Sequence, residues 1–264
     1  MNECCRVVGK SRDAYYKHFK RATERKRCEE RVVEFISQQR REEPMVGVKK
    51  LFYRSAQEVG RDRFLAIARD NDLFVEMRRR YERTTYSNHP YAVAPNRLKS
   101  LEVTRPNQVL VADITYLRLE RGFAYLFLVT DRYSRKIVGY HLSTSLAHTG
   151  AVKALEMATA DILDTRLVIH HSDRGCQYCC HEFLGVVRQY HMVPSMTDES
   201  HCYQNAVAER VNGILKIEFF LDATFRSFEQ AQRAVVSAIR TYNHKRTHWS
   251  LGLKTPCTVH QEAA

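Results

Sequence analysis

The stretch Gln108-Val109-Leu110-Val111-Ala112-Asp113-Ile114-Thr115-Tyr116-Leu117-Arg118-Leu119 decides how this chain is read. Val109, Val111, Ile114 and Tyr116 supply the β-branched and aromatic content of a strand, and Pro106 before it marks where helical periodicity ends. Arg121-Gly122 predicts a turn, Phe123 to Thr130 a second strand and Ile137 to Leu142 a third. Connections that short permit only an antiparallel meander. The order then alternates: helix over Thr149–Leu163, strand over Leu167–His171, helix over His181–Tyr190, a short strand, and helix over Asn205–Phe220. Such alternation adds strands in parallel through crossovers, so the expected fold is α/β, a mixed five-stranded sheet with helices on both faces. A last helix is expected from Ser227, with Gln230 three residues on as in a capping box. Its stripe is Phe228, Ala231, Ala234, Val235, Ala238, Ile239 and Tyr242.

That topology gives three carboxylates a common destination. Asp113 lies on the central first strand, Asp173 follows the end of the neighbouring fourth, and Glu209, 35 residues further on, sits on a helix able to cover that edge. Converging acids repel by up to about 4 kcal/mol per pair at 4 Å and an effective dielectric near 20. A divalent cation relieves this, and oxygen donors suit Mg²⁺ or Mn²⁺. Two such ions about 4 Å apart activate water or a 3′-hydroxyl for attack on a phosphodiester. Each acid also has a plainer reading. Asp113 among Val109, Leu110, Val111, Ala112 and Ile114 needs some partner, Asp173 can cap a turn, and Glu209 suits a helix N-terminus. Asp131, in Thr130-Asp131-Arg132-Tyr133-Ser134-Arg135, is read as a turn-former at a strand end rather than a metal ligand.

The chain has 264 residues, enough for one ordinary domain plus smaller modules. Lys and Arg outnumber Asp and Glu by 42 to 30, a net charge of +12 that favours a polyanionic partner, with nucleic acid first among candidates and an anionic membrane surface the rival. The longest apolar stretch, Phe123 to Thr130, is too short to span a membrane, and the first residues carry no apolar signal core, so a cytoplasmic protein is expected. Of eight cysteines, Cys176-x-x-Cys179 forms a zinc half-site, but no second pair follows at a finger-like interval. Reduced thiols are the expectation for the cysteines.

Ahead of the sheet the chain reads as basic helices. Glu3–Val8, the turn Gly9-Lys10 and a helix Arg12–Lys20 capped by Ser11 suggest a helix-turn-helix. Arg12, Lys17, His18, Lys20 and Arg21 would line a groove-entering face, although a solvated amphipathic helix carries the same pattern. A second block over Glu29–Arg80 shows three apolar faces, around Val32 and Ile36, Leu51 and Phe52, and Phe64 and Ile67. Gly60 is read as the turn between the last two, ahead of Arg61, Arg63, Arg69, Arg78, Arg79 and Arg80. Tyr81–Lys99 loses periodicity and reads as a linker. The expected organisation is therefore 1–27, a partial helix-turn-helix; 28–98, a basic helical region and linker; 99–222, the α/β core; and 223–264, a C-terminal helix and tail.

A longer set of motifs carries a resemblance. It comprises Val111-Ala112-Asp113-Ile114-Thr115-Tyr116, Asp131-Arg132-Tyr133-Ser134-Arg135-Lys136-Ile137-Val138-Gly139, His171-Ser172-Asp173-Arg174-Gly175-Cys176-Gln177-Tyr178 and Pro194-Ser195-Met196. Asn205-Ala206-Val207-Ala208-Glu209, Leu215-Lys216-Ile217-Glu218, Tyr242-Asn243-His244-Lys245-Arg246-Thr247-His248, Ser250-Leu251 and Thr255-Pro256 complete it. In that order the chain resembles, over nearly its full length, the second-reading-frame (OrfB) product of insertion-sequence transposases of the IS-three family, whose core is similar to retroviral integrases. The resemblance implies an RNase H-like fold, a metal triad of Asp113, Asp173 and Glu209 holding Mg²⁺ or Mn²⁺, and strand cleavage and transfer at the ends of the element. It also implies DNA contact by Lys216 and Asn205, and recognition of terminal inverted repeats by the N-terminal helices, with Arg12, Lys17, Arg61 and Arg63 as candidates. Lys216, seven residues after Glu209, lies two turns along the same helix face.

Joining two ends implies a multimer on DNA. The family further implies a first-reading-frame (OrfA) partner or fusion, so the chain is expected to start partway through the first module. Gln204 stands where the family commonly has Asp, Arg210-Val211-Asn212 where small and aromatic residues are common, and Cys176 where small or polar residues are common. A structure-selective nuclease, a non-catalytic DNA-binding regulator and a decayed copy remain the alternatives.

Overall fold

The computed structural model describes residues 9, 11–56, 58–75, 91–198 and 202–263, with backbone alone at 202 and 203. Two compact units divide the chain, Met1–Met77 and Arg78–Ala264. In the first, helix α1 spans Arg12–Arg40. It starts where the cap predicts, the Ala14 amide donating to Ser11 Oγ at 3.1 Å. It does not stop at Lys20 but runs 29 residues without a break, through the expected boundary at 27/28. Arg21-Ala22-Thr23-Glu24-Arg25-Lys26-Arg27-Cys28 contains neither Gly nor Pro and is rich in strong helix formers, so nothing ends the helix there.

The early turns of α1 are solvated, with Phe19 62% exposed, whereas Val32 and Ile36 are buried. These two pack with Leu51 and Phe52 of α2 (Val48–Arg54) and Phe64 and Ile67 of α3 (Arg61–Asp70). A buried ion pair, Arg54 Nη1 to Glu43 Oε1 at 2.6 Å, closes the corner between α1 and α2. Gly60 sits at φ −62°, an ordinary extended conformation, so the permissive turn expected of it is not needed. The expected helix Glu3–Val8, Arg78–Arg80 and Tyr81–Pro90 lie outside the described residues.

The second unit contains the sheet. Strands β1 (Val109–Leu119), β2 (Phe123–Asp131) and β3 (Ile137–Ser143) form the antiparallel meander. Helix α4 (His148–Thr159) leads to β4 (Ile169–Ser172), which pairs parallel to β1, and helices α5 (Cys176–Cys179) and α6 (His181–Gln189) lead to β5 (Val193–Met196), parallel to β4. The strand order is β3-β2-β1-β4-β5, the mixed five-stranded sheet read from the sequence. A two-residue strand β6 (Thr224–Phe225) adds to the far end of β1, and no sequence pattern announced it. Helix α7 (Ala206–Glu218) follows a 3₁₀ turn, and helices α8 (Phe228–His244) and α9 (Pro256–Glu262) complete the unit.

Alternation along β1 sends its residues to two cores. Leu110 and Ala112 join Phe127 under α4 and α6, where Leu155, Phe183 and Val187 are buried. Leu117 joins Leu126 and Leu128 under α7 and α8, against Leu215, Val235 and Tyr242. Helix α4 lies so close to the sheet that a Cβ on Gly139 would stand 2.1 Å from the Ala154 carbonyl oxygen, and one on Gly150 would stand 2.2 Å from the Phe127 ring. Among the described residues no helix is long and apolar enough to cross a membrane.

The C-terminal motif Tyr242-Asn243-His244-Lys245-Arg246-Thr247-His248 fastens helix to sheet. Asn243 Oδ1 accepts from the Ile137 amide and its Nδ2 donates to the Ile137 carbonyl, both at 2.9 Å, as a neighbouring strand would. Tyr242 Oη donates to the Arg135 carbonyl at 2.9 Å, and the buried Arg246 holds Glu218 at the end of α7 with two bonds of 2.7 and 2.8 Å. At the start of α8, Ser227 Oγ accepts from the Gln230 amide as expected. Gln230 Oε1 reaches back to the Arg226 amide rather than to that of Ser227, so the box closes one residue early.

Candidate active site

Asp113 lies in the middle of β1, opposite Leu128. Its parity with Val111 and Leu117 points it to the sheet face covered by α7. Oδ1 accepts from the Ile114 amide at 2.9 Å and Oδ2 from Asn212 Nδ2 on α7 at 2.7 Å. Burial above all, then the negative charge of Asp173 and that of Glu209, push its pKa up to about 7 against these two hydrogen bonds.

Asp173 follows Ser172, the last residue of β4, and β4 runs parallel beside β1. Its Oδ1 accepts from the Gly175 amide at 3.0 Å, closing a short Asx turn. A Cβ on Gly175 would stand 3.0 Å from that oxygen, so a larger residue fits only if the Asp173 carboxylate gives way by a few tenths of an ångström. Glu209 sits in the first turn of α7, where burial and then Asp173 raise its pKa. Asp173 thus bears on the titration of both Asp113 and Glu209, and Glu209 on that of Asp113, as groups near one another at one end of the sheet do.

Three buried groups on β4 and α5 bear on this region. Tyr178 is 2% exposed, and burial, then Asp113, then Asp173 hold its phenol far above its usual pKa. His170 and His171 on β4 are pushed down to about 3 and about 4, chiefly by burial, so neither supplies a positive charge at neutral pH. His171 Nδ1 is 2.9 Å from Ser195 Oγ, which also accepts from the Arg97 amide. That pairing locks β4 to β5 behind Asp173.

Asn205 does not stand where a DNA contact needs it. It is 3% exposed, and its Nδ2 donates to the Ala112 carbonyl at 3.0 Å, one residue before Asp113. It ties the start of α7 to β1 and so sets the height of Glu209 relative to Asp113. Gln204 accepts from the Asp198 amide and Asn96 Nδ2 while donating to Asp198 Oδ2 at 2.8 Å, a donor role that an Asp could not fill. Lys216 Nζ stands 4.6 Å from the centroid of the Tyr116 ring, held by a cation–π contact on the same helix as Glu209.

The basic candidates in the first unit are exposed, and three of the four already face an acid. Lys17 pairs with Asp13 at 2.7 Å, Arg61 with Asp62 at 3.1 Å and Arg63 with Glu29 at 3.7 Å, while Arg12 opens α1. Such exposed pairs are worth little in water and yield readily to a phosphate.

Sequence reasoning missed Asn212 and Tyr178. Asn212 registered only as a departure from the family pattern. Its spacing, three residues after Glu209 on the same helix face, was the signal that it shares the site.

Residues 103–202 match the integrase core domain family, and residues 190–256 match a second integrase core domain family. The chain is 34% identical over 98% of its length to the uncharacterized 31 kDa protein of insertion element IS600 from Shigella sonnei, covering all of that protein. It is also 34% identical, over 71% of its length and 66% of the relative, to transposase InsF for insertion sequence IS3A from Escherichia coli. Among solved structures it is similar to a chain of the simian T-cell lymphotropic virus intasome in complex with PP2A regulatory subunit B56 gamma. The TM-score is 0.51 at 17% identity, with 81% of this chain and 70% of that one covered, a likeness of fold. The strand order, the two integrase core domain matches and full-length relatedness to an insertion-element protein agree, and the chain belongs to the IS3 family of transposases with an integrase core domain.

Proposed function

We propose that this protein is a DNA transposase that cleaves and joins strands at the ends of its insertion sequence, with Asp113, Asp173 and Glu209 as its metal-binding catalytic residues. The observation that carries the reading is the mutual strain of the three acids: each of Asp113 and Glu209 is held above its ordinary pKa by burial and by Asp173. A bound pair of Mg²⁺ or Mn²⁺ ions would supply charge neutralisation and Lewis acidity there. The donor set fits, because all three side chains offer hard oxygen, the ligand type these ions prefer.

The chain's own groups divide the remaining work. Asn212 holds one oxygen of Asp113, and the Gly175 amide holds one of Asp173, so both carboxylates keep a defined orientation while presenting their other lone pairs. Asn205 keeps the helix carrying Glu209 against β1. Lys216, steadied on Tyr116, offers a positive charge to the DNA backbone on the side of the helix that carries Glu209. The chemistry supported is in-line displacement at phosphorus: attack by a water oxygen hydrolyses the strand and frees a 3′-hydroxyl, attack by that 3′-hydroxyl on another strand is transesterification, and in both the departing 3′-oxygen leaves with a proton. The exposed Arg12, Lys17, Arg61 and Arg63 suit recognition of the terminal repeats, and joining two ends calls for more than one copy, with or without a first-frame partner.

The test is incubation of purified protein with labelled duplex carrying the element's own ends, in Mg²⁺, Mn²⁺ or EDTA, beside a Glu209→Gln variant. Joined products that need metal and vanish in the variant are expected. Binding with no covalent product in any metal would reduce the protein to a DNA-binding regulator.

A further inference from the structure

A second cluster of metal-ligating side chains lies away from the three acids. His148 is the first residue of α4, Cys180 is the N-cap of α6, and Glu182 lies in the first turn of α6. One ligand atom from each, an imidazole nitrogen, Sγ and a carboxylate oxygen, all fall within 4.8 Å of one another. We propose that His148, Cys180 and Glu182 form a binding site for Zn²⁺, or a similarly thiophilic divalent ion, that clamps α4 to α6.

The donor chemistry separates this site from the catalytic one. Sulfur, nitrogen and oxygen together suit Zn²⁺, while the all-oxygen triad suits Mg²⁺. Metal–ligand bonds of about 2.0–2.3 Å in a tetrahedron set neighbouring donors roughly 3.3–3.8 Å apart, so small side-chain rotations close the present spacing. Thiolate and carboxylate together carry two negative charges, so a bound Zn²⁺ leaves the site neutral.

Cys180 is 7% exposed, and its Sγ lies 3.4 Å from the Gln177 carbonyl. An ion takes the sulfur as thiolate, and the thiol proton goes to solvent. Two of the three, His148 and Glu182, line a cavity of about 340 Å³ together with Thr149, Val152, Lys153, Glu156 and Val186, which leaves room beside them for water as a fourth ligand.

The consequence is mechanical. The turn after Asp173 leads directly into α5 and α6, and α5 is tied to the approach to α4 by a single side-chain bond, Gln177 Nε2 to the Leu146 carbonyl at 3.2 Å. A metal bond across α4 and α6 would hold the segment that follows Asp173 much more firmly. The Cys176-x-x-Cys179 half-site does not contribute: Cys179 is buried against Met196, with Sγ to Sδ at 3.5 Å.

The test is titration of reduced, metal-stripped full-length protein with Co²⁺, followed by absorption. One equivalent should give a near-ultraviolet sulfur-to-cobalt charge-transfer band with intense tetrahedral visible bands, reversed by Zn²⁺ and untouched by Asp113→Asn combined with Asp173→Asn. Cys180→Ser should abolish the charge-transfer band, and serine is itself a good N-cap, so α6 should persist. His148→Ala should weaken Co²⁺ binding by about tenfold or more. Absence of the band from the native protein, its survival in Cys180→Ser, or unchanged affinity in His148→Ala would each overturn the site.

Discussion

Asp113 and Asp131 sit on adjacent strands of one sheet, and their surroundings could hardly differ more. Asp131 is fully buried, and its carboxylate accepts from the Asn107 amide at 2.8 Å, the Ser134 amide at 2.7 Å and Ser134 Oγ at 2.6 Å. With its proton given to Asp131, Ser134 Oγ accepts from His260 Nδ1 at 3.0 Å, so α9 is anchored through the same carboxylate. Asp113 has two donors and two acidic neighbours. A buried carboxylate surrounded by donors is structural, whereas one left facing other acids is prepared for a cation. The difference teaches that burial of an acid is uninformative until its partners are counted.

The largest expected effect separates the two by activity. Asp113→Asn should lower strand transfer by roughly 10³-fold or more, about 4 kcal/mol of barrier, while end binding by filter or gel assay is retained. Activity near the native level in that variant would erase the distinction. Asp131→Ala should instead strip a partner from three donors, two of them buried, costing about 3 kcal/mol of stability by denaturant titration with m unchanged. At a permissive temperature its activity per folded molecule should remain close to native.

Acidity sharpens the same contrast. Because Asp113 keeps its proton in the folded state to a pH of about 7, the folded protein binds more protons than the unfolded chain above the ordinary carboxylate range. Stability of the metal-free protein should therefore fall as pH rises from about 4 to about 7, by on the order of 2–3 kcal/mol. Asp113→Asn should flatten that slope, and Mg²⁺ should restore stability at neutral pH in the native protein alone. A slope that is the same with and without the Asp113 carboxyl would locate the titration elsewhere.

The smallest effect belongs to Asn212. Removing its amide in Asn212→Ala takes away a hydrogen bond that lowers the Asp113 pKa, so the acidic limb of the activity profile should move to higher pH. Strand transfer at neutral pH should drop about tenfold, equivalent to about 1.4 kcal/mol. Asn212→Asp should be worse, since it adds a fourth acid. A uniform loss at every pH would make Asn212 a packing residue only.

Much of this was legible before any coordinates. The strand content of Gln108–Leu119, the short turn at Arg121-Gly122 and the later helix–strand alternation placed all five main strands and the three acids, because period and punctuation are local properties of a sequence. Local signals also led astray. Ser11 and Lys20 looked like the two ends of a short recognition helix, but a cap can start a helix and only a breaker can stop one, and α1 runs on to Arg40. The resemblance implied that Asn205 contacts DNA, yet it is buried and its Nδ2 is held by the Ala112 carbonyl.

Order along the chain and residue type were therefore enough to determine the α/β class, the edge of the sheet that carries the acids and the basic character of the N-terminal helices. Sequence read Asp131 as a turn-former, but tertiary structure decided how fully each acid is satisfied, since one donor to Asp131 comes from residue 107 and one of the two to Asp113 reaches across 99 positions from Asn212. It also decided that Cys180 meets His148 and Glu182 rather than Cys176 and Cys179. Hydrogen bonds and metal ligation act over about 3 Å in space regardless of separation in sequence. Pairing between distant side chains is thus set by how helices pack on the sheet, which no local pattern records.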